Sequence, residues 1–287
     1  MQVINKIVWG YRKRFGILWY YLNKAYQRTS WSEMMFHMFS PSMYRVAAEN
    51  AILVRSDEKY SYYRINGYDD LFLYPKSAPY YSLAMVLAES RPQHWHYYEI
   101  PETAVAPGDI IVDCGSAEGF FSFRHQHTAS HIYAMEPLSV FIDSLGSLFQ
   151  NKQKVTILPY AAGDSCKEAF IGTSSAETII DASIQETDSN GHAEKINIVT
   201  IDSLFAEKGI RIDYLKADIE GFEENMIRGA LETIRISKPK IAITTYHKGQ
   251  DYQKLIEMIK GVVPEYKHRI KGIDYLSGNP IMLHMWI

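Results

Sequence analysis

A chain of 287 residues, 47% apolar and 22% charged, has ordinary globular composition and can bury a full core, which excludes wholesale disorder. A formal net charge of −3 gives no global footprint for nucleic acid, and two cysteines, Cys114 and Cys166, make no disulfide framework. No run approaches the ~18–20 apolar residues of a membrane span, and Gly10 to Arg14 breaks any signal-peptide core, so cytoplasmic residence is expected.

Residues 1–28 carry six Lys or Arg and no acid, with apolar residues at Ile4, Val8, Tyr11, Phe15, Leu18, Leu22 and Ala25. Steps of four and three put these on one stripe of a helix. With Trp9, Trp19 and Tyr20 nearby, such a helix suits an anionic membrane surface, as a peripheral contact at its inner face. The same stripe also suits docking on the chain's own domain or on a second subunit, as in a homo-oligomer. A short helix is expected within 29–45, with Pro41 as a breaker, and two β-rich runs around Ser56 to Lys59 predict a hairpin. Leu71 to Tyr74 is a further strand and 83–89 a short helix. His94 to Ile100 is aromatic and polar. Residues 1–104 read as an N-terminal extension packed on the core. The 21 tyrosines, crowded towards this part, suit either an interface or an ordinary core.

From Val105 strands and helices alternate, the pattern of a parallel α/β sheet. Strands are expected at 110–114, 131–135, 155–158, 213–218 and 240–245, with helices at about 119, 138–149, 222–235 and 251–260. Two closing strands follow at 265–271 and 281–286, and 165–200 reads as an insertion with short strands around a polar loop.

Ligands of an open parallel sheet bind beyond the carboxyl ends of its strands. The polar residues there are Asp113 and Gly115, Glu136, Ala162 to Asp164, Asp218 with Glu220, and Tyr246 with His247. Gly115 and Gly119 remove side chains where a tight turn would let a ligand approach the backbone, ahead of a helix N-terminus. Glu136, 23 residues after Asp113, matches the interval at which an acid reaches a ribose hydroxyl pair.

Several segments together resemble the FkbM family of S-adenosylmethionine-dependent methyltransferases. They are Val112-Asp-Cys-Gly-Ser-Ala-Glu-Gly119, Met135-Glu-Pro137, Ala161-Ala-Gly-Asp164, Thr200-Ile-Asp-Ser-Leu204, Tyr214-Leu-Lys-Ala-Asp-Ile-Glu-Gly221 and Ile243 to Asp251. The family loop usually carries Asn where this chain has Ala117. The resemblance implies a Rossmann-like class I fold: a seven-stranded, mostly parallel sheet with an antiparallel closing strand over 105–287, preceded by the helical and β-hairpin extension. It implies that Asp113, Gly115, Ser116, Glu118 and Gly119 hold the methionine part of S-adenosyl-L-methionine, that Glu136 takes the ribose, that Ala162 and Asp164 flank the adenine, and that Asp218 also touches the donor.

Methyl transfer is an in-line displacement from a sulfonium, so positioning dominates and the remaining task is removing a hydroxyl proton. His247 is the expected base because its reference pKa of about 6.5 suits proton pickup near neutrality, with Asp218 and Glu220 beside it. These three are also compatible with a divalent cation, a less favoured reading. His94 and His96 are candidates for the acceptor pocket, whereas His125, His127 and His131 are expected at the surface. The expected activity is O-methylation of a hydroxyl, releasing S-adenosyl-L-homocysteine, with a sugar of a surface glycan or glycolipid as acceptor and a specialised metabolite as the alternative. The competing readings are a nicotinamide dehydrogenase, disfavoured by Ala117 in place of a second fingerprint glycine, and a non-catalytic cofactor-binding scaffold.

Overall fold

The chain is described from a computed structural model. It covers residues 12–25, 29–172, 183–185, 193–247 and 249–287. Ile4, Val8, Tyr11 and most of the polar loop 186–194 lie outside the described residues.

Seven strands build the central sheet: β4 (Ile110–Cys114), β5 (His131–Met135), β6 (Val155–Leu158), β11 (Tyr214–Ala217), β12 (Lys240–Thr244), β13 (Lys267–Lys271) and β14 (Met282–Trp286). Their order is β6-β5-β4-β11-β12-β14-β13, with the first five parallel and β14 antiparallel to both of its neighbours. Buried parallel strands read as continuous apolar runs. Val112, Cys114, Leu215, Ala217, Ile241 and Ile243 accordingly join one core cluster with α8 (Glu223–Arg228), α9 (Leu231–Ser237) and α10 (Tyr252–Val262). The chain runs outward from β4 to β6 and then returns to β11, which makes the β4–β11 boundary the switch point.

The single helix expected over 222–235 is two. Gly229 sits between them, and a Cβ there would come within 2.0 Å of the Gly163 carbonyl oxygen. The break therefore follows from a tertiary approach that the local pattern does not carry. The insertion forms a second sheet, β7 (Ala161–Ala162), β8 (Lys167–Gly172), β9 (Ser183–Gln185) and β10 (Glu194–Val199), in the order β7-β10-β8-β9. It packs on Leu138 and Phe141 at the start of α6 (Ser139–Leu148).

Before β4, a hairpin of β1 (Ala51–Ser56) and β2 (Tyr60–Ile65) extends to β3 (Leu71–Pro75). The short helix expected early is present as α2 (Trp31–Phe39), capped by Ser30 with Glu33 in a reciprocal box. A further helix, α3 (Met43–Asn50), begins just beyond Pro41. Phe72 and Tyr74 of β3, with Leu83 and Leu87 of α4 (Tyr80–Glu89), pack onto Phe120 and Phe123 of α5 (Phe120–His125). Residues 12–20 form α1, continued by a π turn over Tyr21–Ala25. Its inward face is Ile17, buried with Met34, Trp95 and Ile273. Of the expected stripe, Leu18 packs partly buried against this cluster, whereas Phe15 is 69% exposed and Leu22 63%.

Candidate functional site

A deep cleft opens at the carboxyl ends of the strands, and its floor is the turn after β4. Gly115 has φ 72° and Gly119 φ 82°, a region that favours glycine. Both also have neighbours that forbid a side chain. A Cβ on Gly115 would lie 2.0 Å from the Asp218 carbonyl oxygen, and one on Gly119 2.5 Å from the Leu145 side chain. Close packing across the switch point and against α6 thus requires glycine at both positions. Between these glycines Ala117 adopts φ 46°, left-handed for a residue with a side chain.

Glu136 ends β5 and closes the turn from the other side. Its carboxylate accepts from the backbone N–H of Ala117 at 2.9 Å and of Leu138 at 3.0 Å. Burial pushes its carboxyl up to about 7, and burial does the same to Glu118. Two carboxyl groups so placed favour a ligand that brings hydroxyl or cationic donors.

The opposite end of the cleft is built on Asp218, at the end of β11. Tyr98 donates to its Oδ2 at 2.6 Å, and the Thr244 hydroxyl oxygen lies 3.2 Å from its Oδ1. Burial opposes its charge, but His96, His247 and Lys216 outweigh this and carry the carboxyl down to about 2. His96 stands between two acids, with Nδ1 3.5 Å from Glu89 and Nε2 3.5 Å from Asp218. The Tyr246 hydroxyl lies 3.2 Å from the same Nε2. His96, Glu89, Tyr98, Tyr246, Asp218 and Glu220 all line the cleft.

The methyltransferase FkbM domain matches residues 113–270, more than half of the chain. The chain belongs to the FkbM methyltransferase family. No curated protein sequence matches it. Among solved structures, an FkbM methyltransferase from Methylobacillus flagellatus is 19% identical with a TM-score of 0.49, over 72% of this chain and 53% of that one. The chain thus spans about half the length of that relative. Fibrillarin from Aeropyrum pernix, with natively bound S-adenosyl-L-methionine, is 12% identical (TM-score 0.42; 82% and 98% covered). TYW2 from M. jannaschii, in complex with AdoMet, is also 12% identical (TM-score 0.43; 81% and 87% covered). Membership in a methyltransferase family sets aside the dehydrogenase reading.

Of the residues singled out in this FkbM-family chain, Gly115, Ser116, Glu118, Glu136, Ala162, Asp218 and Glu220 line the cleft together. Four do not. Asp113 is fully buried beneath the turn, 2.9 Å from Lys216 Nζ, and accepts from Ser122 at 2.7 Å, so its carboxylate is already spent on the protein. Gly119 packs against α6. Asp164 faces a neighbouring hollow, where Asn225 donates to it at 2.9 Å.

His247 stands behind Asp218 rather than in the cleft. Its Nδ1 is 3.2 Å from Glu223 and its Nε2 3.3 Å from Glu220. Burial works against its charge, yet the Glu223 bond and the Asp218, Glu223 and Glu220 carboxylates override this and raise it to about 9. A histidine held protonated at neutral pH is a poor resting base, which weighs against the role expected from its reference pKa. Among the weaker candidates, His125 is buried 3.3 Å from Glu99 rather than at the surface. Lys216, within Tyr214–Gly221, carries no sequence signal beyond its place in a strand. It lines the cleft and donates to the Gly115 carbonyl at 2.7 Å, tying the glycine turn to β11.

Proposed function

We propose that this FkbM methyltransferase moves the methyl group of S-adenosyl-L-methionine to a hydroxyl of a sugar, in a surface glycan or glycolipid. The observation that carries this reading is the wall facing Asp218, where His96, backed by Glu89, meets the Tyr98 and Tyr246 hydroxyls in one cleft. On this reading the donor's ribose hydroxyls take over Glu136, and its methionine end lies along Gly115 to Glu118. The donor would supply an electrophilic methyl group, with Asp218 at the far end of the same cleft. His96 Nε2, beside Asp218, would take the proton of an acceptor hydroxyl brought there as the new C–O bond forms. The sulfur keeps the electron pair of the broken C–S bond and leaves as the thioether. Aromatic faces such as Tyr98 and Tyr246 are apt for stacking on a sugar ring.

The test is incubation of purified protein with methyl-labelled S-adenosyl-L-methionine and a panel of glycans, glycolipids and hydroxylated metabolites. Label on a sugar hydroxyl supports the reading; label only on nitrogen or carbon overturns it.

A glycolipid acceptor also favours a site at a membrane surface. Phe15, Trp19 and Leu22 are exposed along one face of α1, with Arg12 and Arg14 exposed on the same helix. Apolar rings flanked by cations suit shallow insertion among anionic lipid headgroups. Among the described residues, no helix is long and apolar enough to cross a membrane.

A further inference from the structure

The geometry points to a divalent-cation site formed by Asp218, Glu220 and His247 at the acceptor end of the cleft. The His247 side chain is only 9% exposed, and its Nε2 is buried with no hydrogen-bond partner. That atom faces two carboxylate oxygens, Oε2 of Glu220 at 3.3 Å and Oδ1 of Asp218 at 3.7 Å. Ligands that each bind a small divalent cation at about 2.0–2.2 Å stand roughly 3–3.5 Å apart. Both carboxylate oxygens thus stand close to ligand–ligand spacing from Nε2.

The other ring nitrogen determines which way this histidine is used. Nδ1 lies 3.2 Å from Oε1 of Glu223, a fully buried carboxylate. Glu223 is itself fixed by the Ile219 N–H at 3.1 Å, the Thr244 hydroxyl at 3.1 Å and the Gln250 amide. A carboxylate that holds the Nδ1 proton leaves the Nε2 lone pair for a cation, an orientation that metal-bound histidines commonly have. Asp218, Glu223 and His247 also offer ligand atoms within 4.8 Å of one another. Glu223 is assigned as the orienting group because four donors already hold it.

Two carboxylate oxygens and one imidazole suit Mn2+ or Mg2+, with the remaining positions open to water or substrate. Binding exchanges the Nε2 proton for the cation. Asp218 and Glu220 line the cleft, so the open positions face the acceptor. On the O-methylation reading, the cation's role is to coordinate the acceptor oxygen and ease loss of its proton.

The test uses the full chain, stripped with a chelator, and follows Mn2+ uptake by electron paramagnetic resonance. One Mn2+ per chain is expected, weakened about 10-fold or more by Glu220→Gln and by His247→Gln, and about 10–100-fold by Glu223→Gln. Glu265→Gln, on the far surface, should leave uptake unchanged. Thermal shift with S-adenosyl-L-homocysteine reports whether each variant is folded, and the partly exposed Glu220 keeps the test informative if a buried variant is not. A stripped, folded protein that takes up no Mn2+, or takes it up equally well in folded Glu220→Gln and His247→Gln, overturns the site. Uptake judges the site independently of the acceptor: uptake without any O-methyl product strikes only the acceptor reading.

Discussion

Lys216 and Asp113 face each other across the β4–β11 boundary, Nζ to Oδ1 at 2.9 Å, with both side chains closed off from solvent. Removing one partner of a buried pair strands the other charge, at a cost of about 3–5 kcal/mol. Lys216→Met should therefore lower stability by about that amount. Lys216→Met combined with Asp113→Leu should lower it less, because no charge is then left alone. Urea denaturation of the three proteins measures the difference.

Glu136 gives a pH prediction. Its carboxyl is raised by burial to about 7, so in the empty protein the protonated form contributes stability that is present below the ordinary carboxylate range and lost as pH rises through about 7. A ligand whose hydroxyls donate to it needs the ionised form. Affinity for S-adenosyl-L-homocysteine should thus weaken as pH falls from 8 to 6, and Glu136→Gln should weaken binding and flatten that dependence. Calorimetric titration across this range checks both. An affinity independent of pH in the parent protein would remove Glu136 from the ribose site.

Ala117 holds a left-handed conformation that costs an ordinary residue about 1–2 kcal/mol. Part of that cost disappears in Ala117→Gly, which should gain up to about 1 kcal/mol. Ala117→Val, branched at Cβ, should lose about as much or more. Asn tolerates this conformation better than most residues, which gives a backbone reason for its usual presence in the family loop. Thermal melts of the two variants report the order.

His96 is predicted to act on kcat. His96→Asn should lower turnover by about 10²–10⁴-fold while leaving donor affinity within a few-fold of the parent. Glu89→Gln, which touches only the far nitrogen of the ring, should lower it less. A His96 variant with full turnover would exclude it as the proton acceptor.

The outward face of α1 is tested by co-sedimentation with vesicles containing anionic phospholipid. Replacing Phe15, Trp19 and Leu22 with Ser should abolish binding, and high salt should weaken binding of the parent. Equal binding by the triple variant would reject the membrane reading.

The strands of the core were legible because each is a short apolar run between turn residues; 110–114, 131–135 and 155–158 match β4, β5 and β6 residue for residue. The acid at the end of β5 was legible for the same reason, since strand ends converge in any open parallel sheet. What depended on distant approach was not legible. Nothing near Gly229 signals that Gly163 will press against it, and the periodicity of residues 12–22 does not say which face meets Trp95. The acceptor end shows this best. His247 lies three residues beyond β12 and so falls at a strand end, whereas His96 reaches Asp218 only because the segment after α4 folds back over the sheet.

The carbonyl of Asp218 leaves no room for a Cβ on Gly115. The glycine turn after β4 and the backbone of Asp218 after β11 are consequently in direct contact, across the two halves of the sheet. On the proposed reading, the segment before β4, which supplies Glu89, His96 and Tyr98 to the cleft wall, is the part to vary when the acceptor is to change. Grafting that segment between FkbM methyltransferases should change the acceptor and leave the donor undisturbed.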